Sequence, residues 1–188
     1  MVQTRSSTLT LAEFLVSPLA DEEPAWEYFP NGELVRKVSP SLEHGLLQFH
    51  AGRLFWNHLE RIGADAEVVT EARAALARSS PVPDVAVYRG HFPVGPDGRL
   101  EKYARAYPLA VIEILSPGQT RRQLIEKCRD MVAHGTTFGL VIDPIGRVVV
   151  LVDADGERSY RGSDPIPLPA PEFHGLALTP DLIFARLP

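Results

Sequence analysis

The stretch Ala110-Val111-Ile112-Glu113-Ile114-Leu115-Ser116-Pro117 reads as a strand for the interior of a sheet, except that Glu113 sits among its apolar residues. An ionised carboxylate in such surroundings is costly unless it is paired or holds a metal. Strand alternation puts Leu109, Val111, Glu113 and Leu115 on one face. A second acid, Asp84, opens another strand directly after Pro83, on the face shared by Ala86 and Tyr88. A cation follows. Leu124, Cys128 and Met131 form the apolar stripe of a helix, and Lys127 lies three residues after Leu124 and four before Met131. That spacing turns Lys127 toward the sheet.

Each residue alone has a plain structural explanation. A strand glutamate is commonly an edge or ion-pair residue, and an Asp after Pro is commonly turn chemistry. A lysine beside an apolar stripe commonly snorkels to solvent. Together they offer two carboxylates on strands and one ammonium on the helix that follows the second strand. That set suits a divalent cation beside a positive charge, the equipment of phosphoryl chemistry. Magnesium takes few carboxylates and keeps several waters, while a lysine orients water or offsets developing negative charge.

The elements that must carry these groups are legible in outline. Residues 8–16 predict a short helix packing Leu11, Phe14 and Leu15, and residues 26–38 predict a hairpin turning at Asn31-Gly32. Ser39-Pro40 predicts the start of a helix that runs to about Arg61, with Gly63 past its end. Gly45 and Gly52, seven apart, share a face and point to close packing there. Strands follow at about 65–71, 83–88 and 108–115, with a polar, turn-rich loop over 90–107. Thr120 and Gln123 form a capping box opening the helix of Lys127, which ends at Gly135. Strands over 138–143 and 147–153, a short one in Glu157–Gly162 and a short terminal helix complete the chain. Alternating helices and strands indicate an α/β fold with a mixed sheet. The chain divides into an N-terminal arm or short helix over 1–24 and one domain over 25–188.

Taken in order, Asn31-Gly32-Glu33-Leu34-Val35, the Ser-Pro before His44, Pro83-Asp84-Val85-Ala86-Val87, Glu113-Ile114-Leu115-Ser116-Pro117, Lys127 in its helix and Val141-Ile142-Asp143-Pro144 resemble the Uma-type restriction-endonuclease family of the PD-(D/E)XK nuclease superfamily. The late Phe173–Leu178 segment resembles that family's closing stretch, so the likeness covers roughly residues 25–185. The resemblance implies a restriction-endonuclease-like α/β fold, a mixed central β-sheet flanked by helices. It implies Asp84 and Glu113 as ligands of Mg2+ (or Mn2+), with the backbone carbonyl of Ile114 as a further ligand. The superfamily lysine would fall at Leu115. In the Uma-type pattern a helix lysine replaces it, which assigns the role to Lys127. Glu33 and His44 match further family positions and are candidate auxiliary residues. The family's usual aromatic after the lysine is Met131 here, and its Tyr-Trp pair is Phe138-Gly139.

These readings converge on a metal-dependent endonuclease hydrolysing phosphodiester bonds in DNA. Asp84 and Glu113 would bind the ion, and Lys127 would position water or neutralise phosphate. Cutting both strands takes two sites, which makes a homodimer a candidate assembly by analogy. The alternative is a non-catalytic nuclease-fold protein acting as a DNA-binding or protein-interaction module. A third reading is a structural carboxylate–lysine pair inside an unrelated α/β domain. Composition sets bounds on all three. The 188 residues are 45% hydrophobic and 23% charged, ordinary for a soluble globular protein. No apolar run approaches the roughly 20 residues of a membrane span, and the N-terminus lacks a secretory core, so the expected location is the cytoplasm. A single cysteine, Cys128, excludes an intrachain disulfide and a cysteine-rich zinc site. The net charge of −5 gives no global basic field to advertise nucleic-acid binding.

Overall fold

The computed structural model describes residues 3–188, so the first two positions of the expected N-terminal arm lie outside the described residues. In chain order the elements are β1 (Thr4–Ser6), α1 (Leu11–Val16), β2 (Trp26–Tyr28), β3 (Glu33–Arg36), α2 (Leu42–Ile62), β4 (Ala66–Thr70), β5 (Val85–Arg89), β6 (Ala110–Ile114), α3 (Arg121–Ala133), β7 (Phe138–Asp143), β8 (Val148–Asp153), β9 (Gly156–Arg161) and α4 (Pro180–Ile183). Among the described residues, no helix is long and apolar enough to cross a membrane.

Six strands form one mixed sheet in the order β4-β5-β6-β7-β8-β9. Only β6 and β7 pair in parallel, because α3 lies between them in the chain and carries it back to the same end. The other neighbours pair antiparallel. The strands β6, β7 and β8 are buried over their whole length, which explains their near-continuous runs of Val, Ile and Leu. Helix α2 covers one face with Leu47, Ala51, Phe55 and Leu59, against Val85, Ile112, Ile114 and Leu140. The C-terminal segment closes the same face, where Phe173 meets Phe55 edge-on at 5.1 Å. Helix α3 covers the other face with Leu124, Ile125, Cys128 and Met131, against Val111, Val141 and Val150. Sheet alternation therefore sends Ile112 and Ile114 to α2 and Glu113 to α3.

A second, three-stranded sheet, β1-β3-β2, is built around the expected hairpin. Gly32 in its turn has φ +81°, which a residue with a side chain rarely adopts. The N-terminal arm contributes a strand, β1, as well as the expected short helix, whose Phe14 packs with Trp26 and Leu34. Tyr28 bridges to Ser80 through both backbone bonds, which docks this small sheet on the chain leading into β5.

Most boundaries fall within two residues of the sequence expectation, and the differences have local causes. Helix α2 starts two residues later than Ser39-Pro40 suggests, because Ser41 supplies the cap by accepting from the His44 amide. Gly63, in the left-handed region at φ +64°, ends α2 as expected. The two helix glycines part company: a Cβ at Gly52 would sit 3.8 Å from Val85, whereas Gly45 is exposed with nothing nearby. Gly139 makes the closest approach. A Cβ there would fall 2.6 Å from the Cβ of Cys128 and 2.7 Å from its sulfur. The bare backbone of β7 is thus what lets α3 lie close to the sheet. Gly139→Ala should cost about 1–3 kcal/mol of stability through overpacking, read as a lower urea midpoint at unchanged slope.

Candidate active site

Asp84 immediately precedes β5, and Glu113 is the fourth residue of β6. The register pairs Val85 with Ile112, so continuing it by one pair sets Asp84 opposite Glu113 on the face covered by α3. Asp84 Oδ2 accepts the Ile114 amide at 2.7 Å, which ties the first acid to the strand of the second. Lys127 is buried, 5% exposed, so it does not snorkel. Its ammonium lies 2.7 Å from Glu113 Oε1 and 2.6 Å from Glu27 Oε1. The structure thus brings Asp84, Glu113 and Lys127 together around one small cavity of about 20 Å3, enough for a single water-sized occupant. Ile114 lines the same cavity.

Glu27 is the acid that sequence reading missed. It sits on β2 between Trp26 and Tyr28, is 5% exposed, and accepts the Val82 amide at 2.6 Å as well as Lys127. Its neighbours Trp26 and Tyr28 are apolar, but a strand of three residues is too short for alternation to mark the acid between them. Glu33, the hairpin acid singled out from the sequence, does not line this small cavity. It is partly exposed, accepts from Asn31 of its own turn, and lines a neighbouring groove of about 390 Å3 between the small sheet and α3, which Glu27 and Lys127 also line. The reason is geometric. Glu33 opens β3 beside the tip of the hairpin, whereas Glu27 lies where β2 meets the chain entering β5.

Three further groups complete the other side of Asp84. His44, one turn into α2, is buried; its Nδ1 meets Ser116 Oγ at 2.9 Å and its Nε2 lies 3.5 Å from Asp84 Oδ1. Lys37, just after β3, binds Asp84 Oδ1 at 2.7 Å, Glu71 Oε2 at 2.6 Å and the Val82 carbonyl at 2.9 Å. Glu71 adopts φ +53°, a left-handed conformation that costs a non-glycine residue about 1 kcal/mol or more. Gln48 holds it by donating to Glu71 Oε1 and to the Asp84 carbonyl. Ligand atoms of His44, Glu71 and Asp84 all lie within 4.8 Å of one another. Neither Lys37 nor Glu71 stood in a pattern that sequence reading could use. Asp143 ends β7 and accepts the Gly146 amide in the turn that follows, and Cys128 is core.

The electrostatics follow from burial. Desolvation works to raise the Asp84 carboxyl, but His44 and the ammonium groups of Lys37 and Lys127 hold it well below the usual carboxylate range. Glu113 goes the other way: burial, reinforced by Asp84 and Glu27, outweighs Lys127 and pushes its carboxyl up to about 8. Burial also works to lower Lys127, but Glu113, Glu27 and Asp84 keep it above the ordinary lysine range. Glu113 Oε1 has no well-aligned hydrogen bond, since the approach of Lys127 is close but poorly directed. An under-satisfied buried carboxylate oxygen, facing a cavity with a second carboxylate beside it, fits a hard divalent cation.

Two stability measurements follow. Because Glu113 binds its proton more tightly folded than unfolded, its contribution is fully present below about pH 4.5 and is lost as pH rises toward about 8. In EDTA, wild-type stability should therefore fall across that window by thermal or urea melts, and Glu113→Gln should flatten the slope. Lys127→Met leaves Glu27 and Glu113 facing each other without a counter-charge and should cost about 3–5 kcal/mol. Adding Glu113→Gln to Lys127→Met should recover part of that loss in urea melts.

Comparison with known proteins bears on the family and the fold. The family described as "Uma2: Putative restriction endonuclease" matches residues 11–181. A crystal structure described as "a putative nuclease belonging to DUF820 from Anabaena variabilis ATCC 29413" superposes with a TM-score of 0.83 at 27% identity, covering 94% of this chain and 98% of that one. Comparison with the curated proteins finds no match. The extent of the family match and the six-stranded mixed sheet with its flanking helices place the chain: it belongs to the Uma2 family and has the restriction-endonuclease-like α/β fold.

Proposed function

We propose that the protein is a metal-dependent endonuclease that hydrolyses phosphodiester bonds in DNA. One observation carries this: two buried carboxylates, Asp84 and Glu113, face each other across adjacent strands, with the Lys127 ammonium against one of them. Asp84, Glu113 and the Ile114 carbonyl would hold Mg2+ or Mn2+. When bound, such an ion supplies Lewis acidity toward a phosphoryl oxygen and lowers the pKa of water.

The chain's own residues do the rest. Asp84 stays ionised, ready to act as ligand, because Lys37, His44 and Lys127 hold its carboxyl low. Glu113 must lose its proton to ligate, so cation binding at neutral pH releases about one proton and tightens as pH rises toward about 8. Lys127, held by Glu27, keeps its charge and its place when Glu113 turns to a cation, and from there it offsets negative charge developing on the phosphate. Lys37 stands on Asp84 Oδ1, an oxygen a cation would need, so its ammonium competes with the ion.

The alternative is a nuclease-fold module without catalysis. The ion pairing of Asp84 with Lys37 and of Glu113 with Lys127, and the acidic net charge, favour that alternative. Cation binding and cleavage separate the two. Purified protein should nick or cut plasmid DNA with Mg2+ or Mn2+ and not in EDTA, and Glu113→Ala should abolish the activity. Calorimetry should show Mn2+ uptake that Glu113→Ala removes and that Lys37→Met tightens several-fold. Cleavage that survives Glu113→Ala would refute the assignment of the site, and a protein that takes up no cation would point to the module.

A further inference from the structure

Helix α2 carries a second apolar face that nothing among the described residues covers. Its core face, centred on Ala51, buries Leu47, Phe55 and Leu59. Directly opposite, at steps of four and three residues, run Leu42, Leu46, Phe49, Arg53, Trp56 and Glu60. Leu42 is 83% exposed, Phe49 71%, and Leu46 and Trp56 43% each. A surface helix of a monomer normally turns charged residues outward. Here four large apolar side chains, from Leu42 to Trp56, line about 21 Å of outward helix at its rise per residue.

We infer that this stripe is a self-association surface, on which a second copy of the chain packs with its α2 antiparallel to the first. The stripe is its own complement. Its spacing is palindromic about residue 51, so reversing the helix lays it on itself and sets Leu46 against Trp56 and Phe49 against Arg53 of the second copy. Phe49 against Arg53 is a cation–π pair. The reversed register also brings Glu43 within a turn of Arg61 of the second copy, and each exposed Phe49 toward the hollow floored by Gly52, Val68 and Thr70. A parallel pairing would instead stack Arg53 on Arg53 and Glu60 on Glu60, like charges in contact. Charge and shape therefore select the antiparallel copy. Gly45, exposed with nothing near it, lies beside this surface. The inference stands apart from the proposed catalysis, because none of the stripe residues lines the active-site cavity.

Sedimentation equilibrium of the full chain at micromolar concentration should give twice the 20.7 kDa chain mass. Phe49→Asp lies at an exposed helix position; it should keep the wild-type circular dichroism and weaken the dimer by about thirtyfold or more, a hot-spot loss. Orientation is read by cross-linking. Leu46→Cys mixed with Trp56→Cys should form an interchain disulfide under mild oxidation, while each variant alone should not, and the buried Cys128 does not compete. A wild-type protein that sediments as a monomer, a dimer that survives Phe49→Asp, or Leu46→Cys cross-linking to itself would each overturn the inference.

Discussion

A buried lysine ammonium needs oxygen partners from the protein, and Lys127 meets that demand from two different sheets. Glu113 comes from the centre of the main sheet and Glu27 from the small one, each within 2.7 Å of the same nitrogen. Losing both partners would leave a buried charge without compensation, and losing one leaves it a single carboxylate, so the ammonium ties β2, β6 and α3 into one geometry. The packing around the triad serves this approach. Gly139 removes the side chain that would hold α3 off the sheet, and the Tyr28–Ser80 bridge seats the hairpin so that Glu27 can reach inward.

The same demand explains the distribution of charge. Four acids, Glu27, Glu71, Asp84 and Glu113, meet two lysines, Lys37 and Lys127, within a few ångströms of the carboxyl end of β6. Negative charge is in excess, and it is relieved in part by a proton on Glu113, whose carboxyl burial has pushed up to about 8. A divalent cation relieves it more completely. That is the physical content of the proposed function: the lysines and the proton stabilise the cluster until an ion takes over Asp84 and Glu113. On that proposal, part of the acidic net charge would be acids gathered for an ion.

Much of this was legible in the sequence because it is written in strand and helix periods. An acid inside AVIEIL, an acid heading a strand after Pro83, and a lysine between Leu124 and Met131 each announce a buried polar group, and register brings all three to one cavity. What stayed hidden depends on packing between sheets. Glu27 belongs to a strand of three residues, too short for alternation, and its first two residues are both buried. Glu33 drew attention through the family pattern but faces the groove beside the hairpin tip. Lys37 follows a strand end and Glu71 follows another in a left-handed conformation, positions where periodicity carries no information. The helix cap moved from Ser39 to Ser41 for a similar reason, since both serines satisfy the local rule and tertiary contact decides.

The position of the ion within the cluster is where the physical picture is most exposed to test. Crystals soaked in Mn2+ and measured at the manganese absorption edge locate the ion directly by anomalous scattering. The expected result is a peak between the carboxylates of Asp84 and Glu113, with the Lys37 ammonium moved away from Asp84 Oδ1 and Lys127 still on Glu27. A Mn2+-saturated crystal with no peak there, and with Lys37 and Lys127 still holding both acids, would contradict the metal site and leave the cluster a structural ion-pair network.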